Sequence, residues 1–364
     1  MRRTAVAWYA WIAIAASTAL VACGGGGGSS APGASSSGGS TSSGGSSSSG
    51  SGGGSSSGPP PTPNSISLQS EAGDFVGQGL MYEYSQADAV LSVSAAGDVI
   101  SISVDGNDQW TGNFAVGNAL AAPAVGSYSN LQRYPFNDPA AGGLTWYGDG
   151  RGCNTLAGSF TITNIVFSGS TLTALDMSFE QHCEGATPAL YGQIHWNAGD
   201  TTTPPGPVNP PPSGLWQAPS GATPATGNYV YLQSDASDYV GGGQTYLYTP
   251  ADTTVTVASG TGHVAFTLGQ APLTNWQGDF QAMNSITYLQ PGYYGGLQRY
   301  PFNNPALGGL SWYGDGRGCN TLSGWFVVDA VTYSGISLTS IDLRFEQHCE
   351  GAAAALHGQI HWVP

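Results

Sequence analysis

Four blocks of this chain occur twice at one fixed displacement. Leu131-Gln-Arg-Tyr-Pro-Phe-Asn returns at Leu297, and Trp146-Tyr-Gly-Asp-Gly-Arg-Gly-Cys-Asn returns at Trp312. Phe179-Glu-Gln-His-Cys-Glu-Gly returns at Phe345, and Gly192-Gln-Ile-His-Trp at Gly358, all displaced by 166 residues. The front of the unit is looser, since Val76-Gly-Gln-Gly matches Val240-Gly-Gly-Gly at a displacement of 164. Such a chain must fold as two copies of one unit, each of about 135 residues and of ordinary domain size. Two units do not make a solenoid, so they are tandem domains. Each unit reads as β: Val99-Ile-Ser-Ile-Ser-Val, Phe160-Thr-Ile-Thr-Asn-Ile-Val-Phe and Leu172-Thr-Ala-Leu-Asp-Met-Ser-Phe alternate or are β-branched. Gly, Asn and Asp punctuate them, and no sustained helical period intervenes. The expected fold class is all-β, with six to nine short strands per unit in a disulfide-stapled β-sandwich or small barrel.

What separates the copies is compositional. Residues 24–58 are almost only Gly and Ser, followed by prolines at 59–61 and 63. Nothing there can bury a core, so the stretch is expected to be a disordered tether. A second linker, 200–227, is rich in Pro, Thr and Gly and is expected to be stiffer and polyproline-like. The divisions are therefore 1–22, 23–64, 65–199 for the first β domain, 200–227, and 228–364 for the second.

The first 22 residues are an export signal. Arg2 and Arg3 precede a mostly apolar run over 4–19, too short for a comfortable membrane span. Leu20-Val21-Ala22-Cys23 resembles a bacterial lipobox, which implies cleavage before Cys23, lipidation of its thiol and membrane attachment through the acyl chains. By the same resemblance, Gly24 after the cysteine points to the outer membrane of the cell envelope, facing the periplasm or the cell surface. With Cys23 assigned to lipid, four cysteines remain. Cys153 with Cys183, and Cys319 with Cys349, form two pairs of identical spacing, expected as disulfides in an exported chain.

Charge narrows the partners. The chain contains no lysine and seven arginines, and its formal net charge is −15. Such a surface repels phosphate backbones and excludes nucleic acid as a partner. It also rules against a basic patch docking on anionic lipid.

The candidate chemistry sits in the repeated blocks. Setting Phe179-Glu-Gln-His-Cys against the following strand puts Met177 and Phe179 on one buried face with Leu190, Ile194 and Trp196. Phe179, Gln181 and Cys183 then point inward. Glu180, His182, Tyr191, Gln193 and His195 share a polar face, as do Glu346, His348, His357, Gln359 and His361 in the second copy. His348, His357 and Glu346 are a weak metal candidate of a type that suits zinc. Tyr191 replaces His357 in the first copy, so no shared metal is expected, and no cofactor is called for. The Gly-Asp-Gly-Arg-Gly segment is a tight loop after a strand and not a phosphate loop. Its Arg151 is expected to pair with Glu180 or Glu184 as a staple, with ligand binding by Asp149 and Arg151 as the competing role. Arg133-Tyr134-Pro135-Phe136-Asn137 resembles an exposed aromatic ledge suited to sugars, whose apolar faces stack on rings while amides and carboxylates take the hydroxyls; Trp146 and Tyr147 are further binding candidates, and Trp110 is a third repeated aromatic. Arg299, Tyr300, Trp312, Tyr313, Asp315 and Arg317 are the corresponding candidates in the second copy. A glycosidase pair is conceivable only as Asp149 with Glu180, and no nucleophile elbow or metalloprotease motif is present, so no catalytic residue is assigned.

The Gly-Arg-Gly-Cys-Asn-Thr-Leu, Phe-Glu-Gln-His-Cys-Glu-Gly and Gly-Gln-Ile-His-Trp blocks resemble a β domain of secreted and surface proteins in several bacterial groups. The resemblance covers nearly all of both units and implies location and modularity rather than a chemistry. The expected function is a lipid-anchored, surface-exposed bivalent binding or adhesion module. Its expected partner is a glycan or another envelope or surface protein. A structural envelope lipoprotein without a specific ligand is the alternative, and an extracellular hydrolase the third reading.

Overall fold

The computed structural model describes residues 63–269 and 276–364; the signal segment, Cys23 and the Gly/Ser tether lie outside the described residues. The described residues form strands and no helix. The first domain comprises β1 (Ser65–Ser70), β2 (Met81–Ser85), β3 (Val90–Ala96), β4 (Val99–Asp105), β5 (Gln109–Ala115), β6 (Gly126–Arg133), β7 (Gly143–Gly148), β8 (Leu156–Ser168), β9 (Thr171–Cys183) and β10 (Ala189–Asn197). The second repeats them as β11 (Tyr229–Ser234), β12 (Thr245–Tyr248), β13 (Val255–Gly260), β14 (His263–Leu268), β15 (Trp276–Gln281), β16 (Gly292–Arg299), β17 (Gly309–Gly314), β18 (Leu322–Ser334), β19 (Ser337–Cys349) and β20 (Ala355–Trp362).

Each domain is one curled ten-stranded sheet, in the first copy ordered β2-β1-β10-β9-β8-β6-β7-β5-β4-β3. The ten strands exceed the six to nine expected. All neighbours are antiparallel except β6 and β7, which run parallel over only Gln132–Gly143 and Arg133–Leu144. The β9–β10 register pairs Met177 with Ile194 and Gln181 with Leu190, the parity that the buried residues require. Phe179 faces Gly192, and a Cβ there would stand 2.0 Å from the phenyl ring, so this glycine of the Gly-Gln-Ile-His-Trp block is a packing requirement.

The core is aromatic. Trp110, Trp146, Phe114 and Phe160 are essentially inaccessible in the first copy, as are Trp276, Trp312, Phe280 and Phe326 in the second. This corrects the expectation of Trp146 and Trp312 as ligand-binding candidates. On β7 the alternation sends Leu144 and Trp146 inward and Tyr147 outward, and Trp146 stacks on Phe179 at 5.1 Å. One disulfide closes each domain, Cys153–Cys183 and Cys319–Cys349.

Gln181 has a role that its inward position did not disclose. Because β6 leaves β7 after two residue pairs, Trp146 has β5 beside it on one edge, where it faces Gly112, and no strand on the other. The Gln181 side chain takes that place: Oε1 accepts the Trp146 N–H at 2.9 Å and Nε2 donates to the Trp146 carbonyl at 2.9 Å. Gln347 does the same for Trp312 at 2.9 and 2.8 Å. Both glutamines are fully buried.

The second linker is not a free polyproline spacer. Val208 exchanges two 2.9 Å backbone hydrogen bonds with Tyr293, and Trp216 stacks on His357 at 5.0 Å. Arg344 donates to the Trp216 carbonyl at 3.0 Å, and the Ala218 N–H donates to Gln359 at 3.1 Å. The first copy carries Ser127, Tyr191 and Ser178 where the second has Tyr293, His357 and Arg344. Three of the residues that hold the linker are therefore divergent in the second copy, while Gln359 has Gln193 as its counterpart.

The domains also touch through a loop. Asn304 donates to the Asp88 carbonyl at 2.8 Å and to Asn107 Oδ1 at 3.1 Å. The first copy has Asp138 at the equivalent position, and an ionised carboxylate has no proton to donate. The Asp-to-Asn difference between copies is thereby explained.

Candidate binding clefts

The two most conspicuous repeated blocks meet in space. β7 ends at Gly148 and turns through Asp149 and Gly150, at φ +47° and +73°, into Arg151, which exchanges both backbone hydrogen bonds with Gly148. Two successive residues at positive φ make a hairpin turn for which Asp-Gly is favoured, so the Asp-Gly pair is first a turn. Asp149 also accepts the Gln109 N–H at 3.0 Å through Oδ1. Beside the turn runs the end of β6 with Arg133, Tyr134 and Pro135.

Between them opens a cleft of about 600 Å³ in the first domain, lined by Gln109, Thr111, Asn113, Arg133, Tyr147 and Asp149 among others. Its counterpart, of about 710 Å³, is lined by Gln277, Asp279, Arg299, Tyr300, Tyr313 and Arg317 among others. Tyr147 and Tyr313 expose 44% and 38% of their surface here, large values for tyrosines that a sheet could have buried. Phe136 and Phe302, each 75% exposed, lie under the guanidinium groups of Arg133 and Arg299 at 5.1 and 5.3 Å.

Of the expected site residues, the structure brings together Arg133, Tyr134, Tyr147, Asp149 and Arg151, and likewise Arg299, Tyr300, Tyr313, Asp315 and Arg317. Glu180, His182, Glu346 and His348 do not line these clefts. Glu180 and His182 bond to one another at 2.9 Å on β9, and His182 also meets the Thr187 carbonyl at 2.9 Å. That carboxylate raises the histidine's pKa above its usual value. In the second copy Glu346 lies within 3.2 Å of His348 and 3.1 Å of His357. Among the described residues no group of three or more His, Cys, Asp and Glu side chains is arranged to hold a metal ion. The weak metal candidate is corrected accordingly: Glu346 Oε1 serves His348 and the Trp325 indole N–H, and Trp216 covers His357.

The expected Arg151 staple is also corrected. Arg151 Nε donates to the Val76 carbonyl at 2.7 Å, its Nη2 lies 3.6 Å from Asp149, and its guanidinium covers Trp110 at 5.5 Å. It ties the turn to the Val76-Gly-Gln-Gly loop, and its partner was illegible because a backbone carbonyl carries no residue signature. The acid that does staple is Glu184, which accepts the N–H groups of Asn154 and Thr155 and the Thr155 hydroxyl; Glu350 repeats this with Asn320 and Thr321.

The Asn154 and Asn320 N–H groups hold the carboxyls of Glu184 and Glu350 below the usual value of 4.5. A depressed carboxylate stabilises the fold above its unfolded pKa, and that contribution is lost as pH falls through the folded value. Thermal melts of the full chain should therefore lose stability as pH drops below about 4.5. Substituting both glutamates with glutamine should flatten that decline, and an unchanged acid slope would refute the assignment.

Asp149 is the sole carboxylate lining the first cleft, so the conceivable hydrolytic pair of Asp149 with Glu180 does not form there. The second cleft differs at one charged position: Asp279 stands where the first has Asn113, and Asp279 meets His263 at 3.1 Å. His263 in turn stacks on Tyr300 at 4.7 Å. No family model matches the chain, and no curated protein or solved structure matches it.

Proposed function

We propose that the chain is a bivalent glycan-binding module of the bacterial cell envelope, attached through lipid on Cys23 and displaying one cleft per domain. The observation that carries this is the coincidence of repeat and cleft. The blocks that stayed alike in both copies line an open depression with an exposed tyrosine and two guanidinium groups, beside a polar row from β5 or β15 that differs between the copies. Much of the core needs only apolar shape, but an exposed aromatic over polar neighbours has no packing reason to persist. A ring that presents its face to solvent beside hydrogen-bonding groups suits a pyranose. Two such sites in one chain make the second contact intramolecular, which raises avidity on a repetitive surface.

A glycan array probed with the purified full chain tests the reading. Binding to a defined set of saccharides is expected, and the Tyr147→Ala, Tyr313→Ala double variant should weaken it by about tenfold or more, the loss of roughly 1.4 kcal/mol. The tyrosines lie outside the core and Tyr313 gives up one exposed hydrogen bond to Gln277, so the variant should stay folded and melt within a few degrees of the parent. An array with no saccharide bound, or undiminished binding by the double variant, would overturn the proposal.

A further inference from the structure

The cations of this protein are concentrated. There is no lysine, and the described residues contain five arginines. Arg344 is 7% exposed and engaged with Asp329 and the linker carbonyl of Trp216. The other four are Arg133 and Arg151 in the first cleft and Arg299 and Arg317 in the second. Every solvent-reachable permanent positive charge among the described residues therefore lines a cleft, in a chain whose net charge is −15.

The two clefts are not equivalent. Among the side chains lining the first, two arginines face the single carboxylate of Asp149, an excess of one positive charge within the lining; Glu184 beside Arg133 recurs as Glu350 beside Arg299 and does not distinguish the clefts. In the second, Asp279 joins Asp315 and cancels that excess. The first cleft has Asn113 at this place; its Oδ1 meets the Ser101 hydroxyl at 3.1 Å, and its amide N–H groups have no partner among the described residues. Arg133 spends one donor on the Asn154 carbonyl, at a long 3.2 Å, and the rest of its fork makes no hydrogen bond among the described residues. A guanidinium fork matches a carboxylate in geometry and charge better than any neutral sugar hydroxyl does.

We propose that the first cleft recognises an acidic sugar. Arg133 takes the carboxylate of a uronic acid residue, Tyr147 stacks on its ring, and Asn113 donates to a hydroxyl. The second cleft, neutralised by Asp279, takes neutral sugars of the same glycan. This rests on the glycan-binding reading above and names its ligand class. The acid is an isolated one on an otherwise neutral chain. At physiological salt a charge is felt over about 8 Å, so one carboxylate meets the local arginines. A run of carboxylates extends beyond them over an acidic surface and is repelled.

The test is calorimetric titration of the full chain, at physiological ionic strength, with a xylo-oligosaccharide bearing one glucuronic acid branch. The control ligand is the same compound with its carboxyl reduced to the alcohol. The acid is expected to bind about tenfold tighter, with one acid-preferring site per chain. Arg133→Gln should erase the preference, and Arg133→Lys should restore part of it, since lysine keeps the charge without the fork. Asp279→Asn should raise the acid-preferring sites from one to two. Equal binding of acid and alcohol overturns the charge inference and leaves the glycan reading standing; no binding of either to this or any arrayed saccharide overturns both. A preference that survives Arg133→Gln in a folded protein also overturns the inference.

Discussion

Replacing Gln181 with leucine should cost the first domain about 2–5 kcal/mol of stability. Leucine fills nearly the same volume, so the loss isolates the hydrogen bonds. The substitution strands the N–H and the carbonyl of Trp146, both of which bond to the glutamine amide at 2.9 Å inside the core. A buried backbone group without a partner costs about 1–3 kcal/mol, and here two are stranded together. Total stability of a domain is about 5–15 kcal/mol, so the effect is a large part of what exists. Gln181→Glu should be nearly as harmful, because it keeps an acceptor, removes the donor and buries a charge. Denaturant unfolding of the full chain followed by tryptophan fluorescence reads the change, and Gln347→Leu should produce the same loss in the second domain. A change under about 1 kcal/mol would mean that water or another group replaces the amide.

Opening the crosslink by the paired substitutions Cys153→Ser and Cys183→Ser should lower stability by about 3–4 kcal/mol. The bond closes a loop of 30 residues, and the chain-entropy relation gives that magnitude for a loop of this length. The crosslink holds the segment after the Asp149-Gly150 turn against the end of β9, the same place that Glu184 fastens from the surface. The two devices share one job, so their losses should not add independently. Combining Glu184→Ala with the cysteine pair should cost more than the sum of the separate changes, because either fastening limits the movement that the other leaves. Equal stability with and without reductant would contradict the role assigned to the bond.

Much of the architecture is legible in the sequence because its causes are periodic or duplicated. The β9–β10 register followed from the parity of Met177, Phe179, Leu190 and Ile194, and the cysteine pairs followed from their repeated spacing. The cleft was legible as composition, since Arg133, Tyr134, Tyr147, Asp149 and Arg151 do converge. What stayed hidden were interactions between a side chain and a backbone group. The Gln181 amide on Trp146 and the Arg151 guanidinium on the Val76 carbonyl leave no complementary residue to find. Trp146 was misplaced because its neighbour Tyr147 is exposed, and strand alternation sends adjacent residues to opposite faces. A check of parity on β7, as was done on β9, separates the two. The departure of Asp279 from Asn113 was visible in the aligned copies, but its meaning needed the cleft.

The strapped linker changes where the second domain begins. Trp216, Val208 and their neighbours complete a sheet face that Tyr231, Tyr293 and Arg344 would otherwise present to water. A protease that severs the chain near residue 205 leaves the strap attached to the second copy, whereas a cut near 227 removes it. The second fragment would carry bare aromatic rings and an arginine without its carbonyl, a surface prone to self-association. The first domain has serines at 67, 127 and 178 in their places, so it carries no equivalent rings or guanidinium to cover. Duplication has thus produced two halves with unequal tolerance of separation: the leading copy ends cleanly, and the trailing copy owns the segment that joins them.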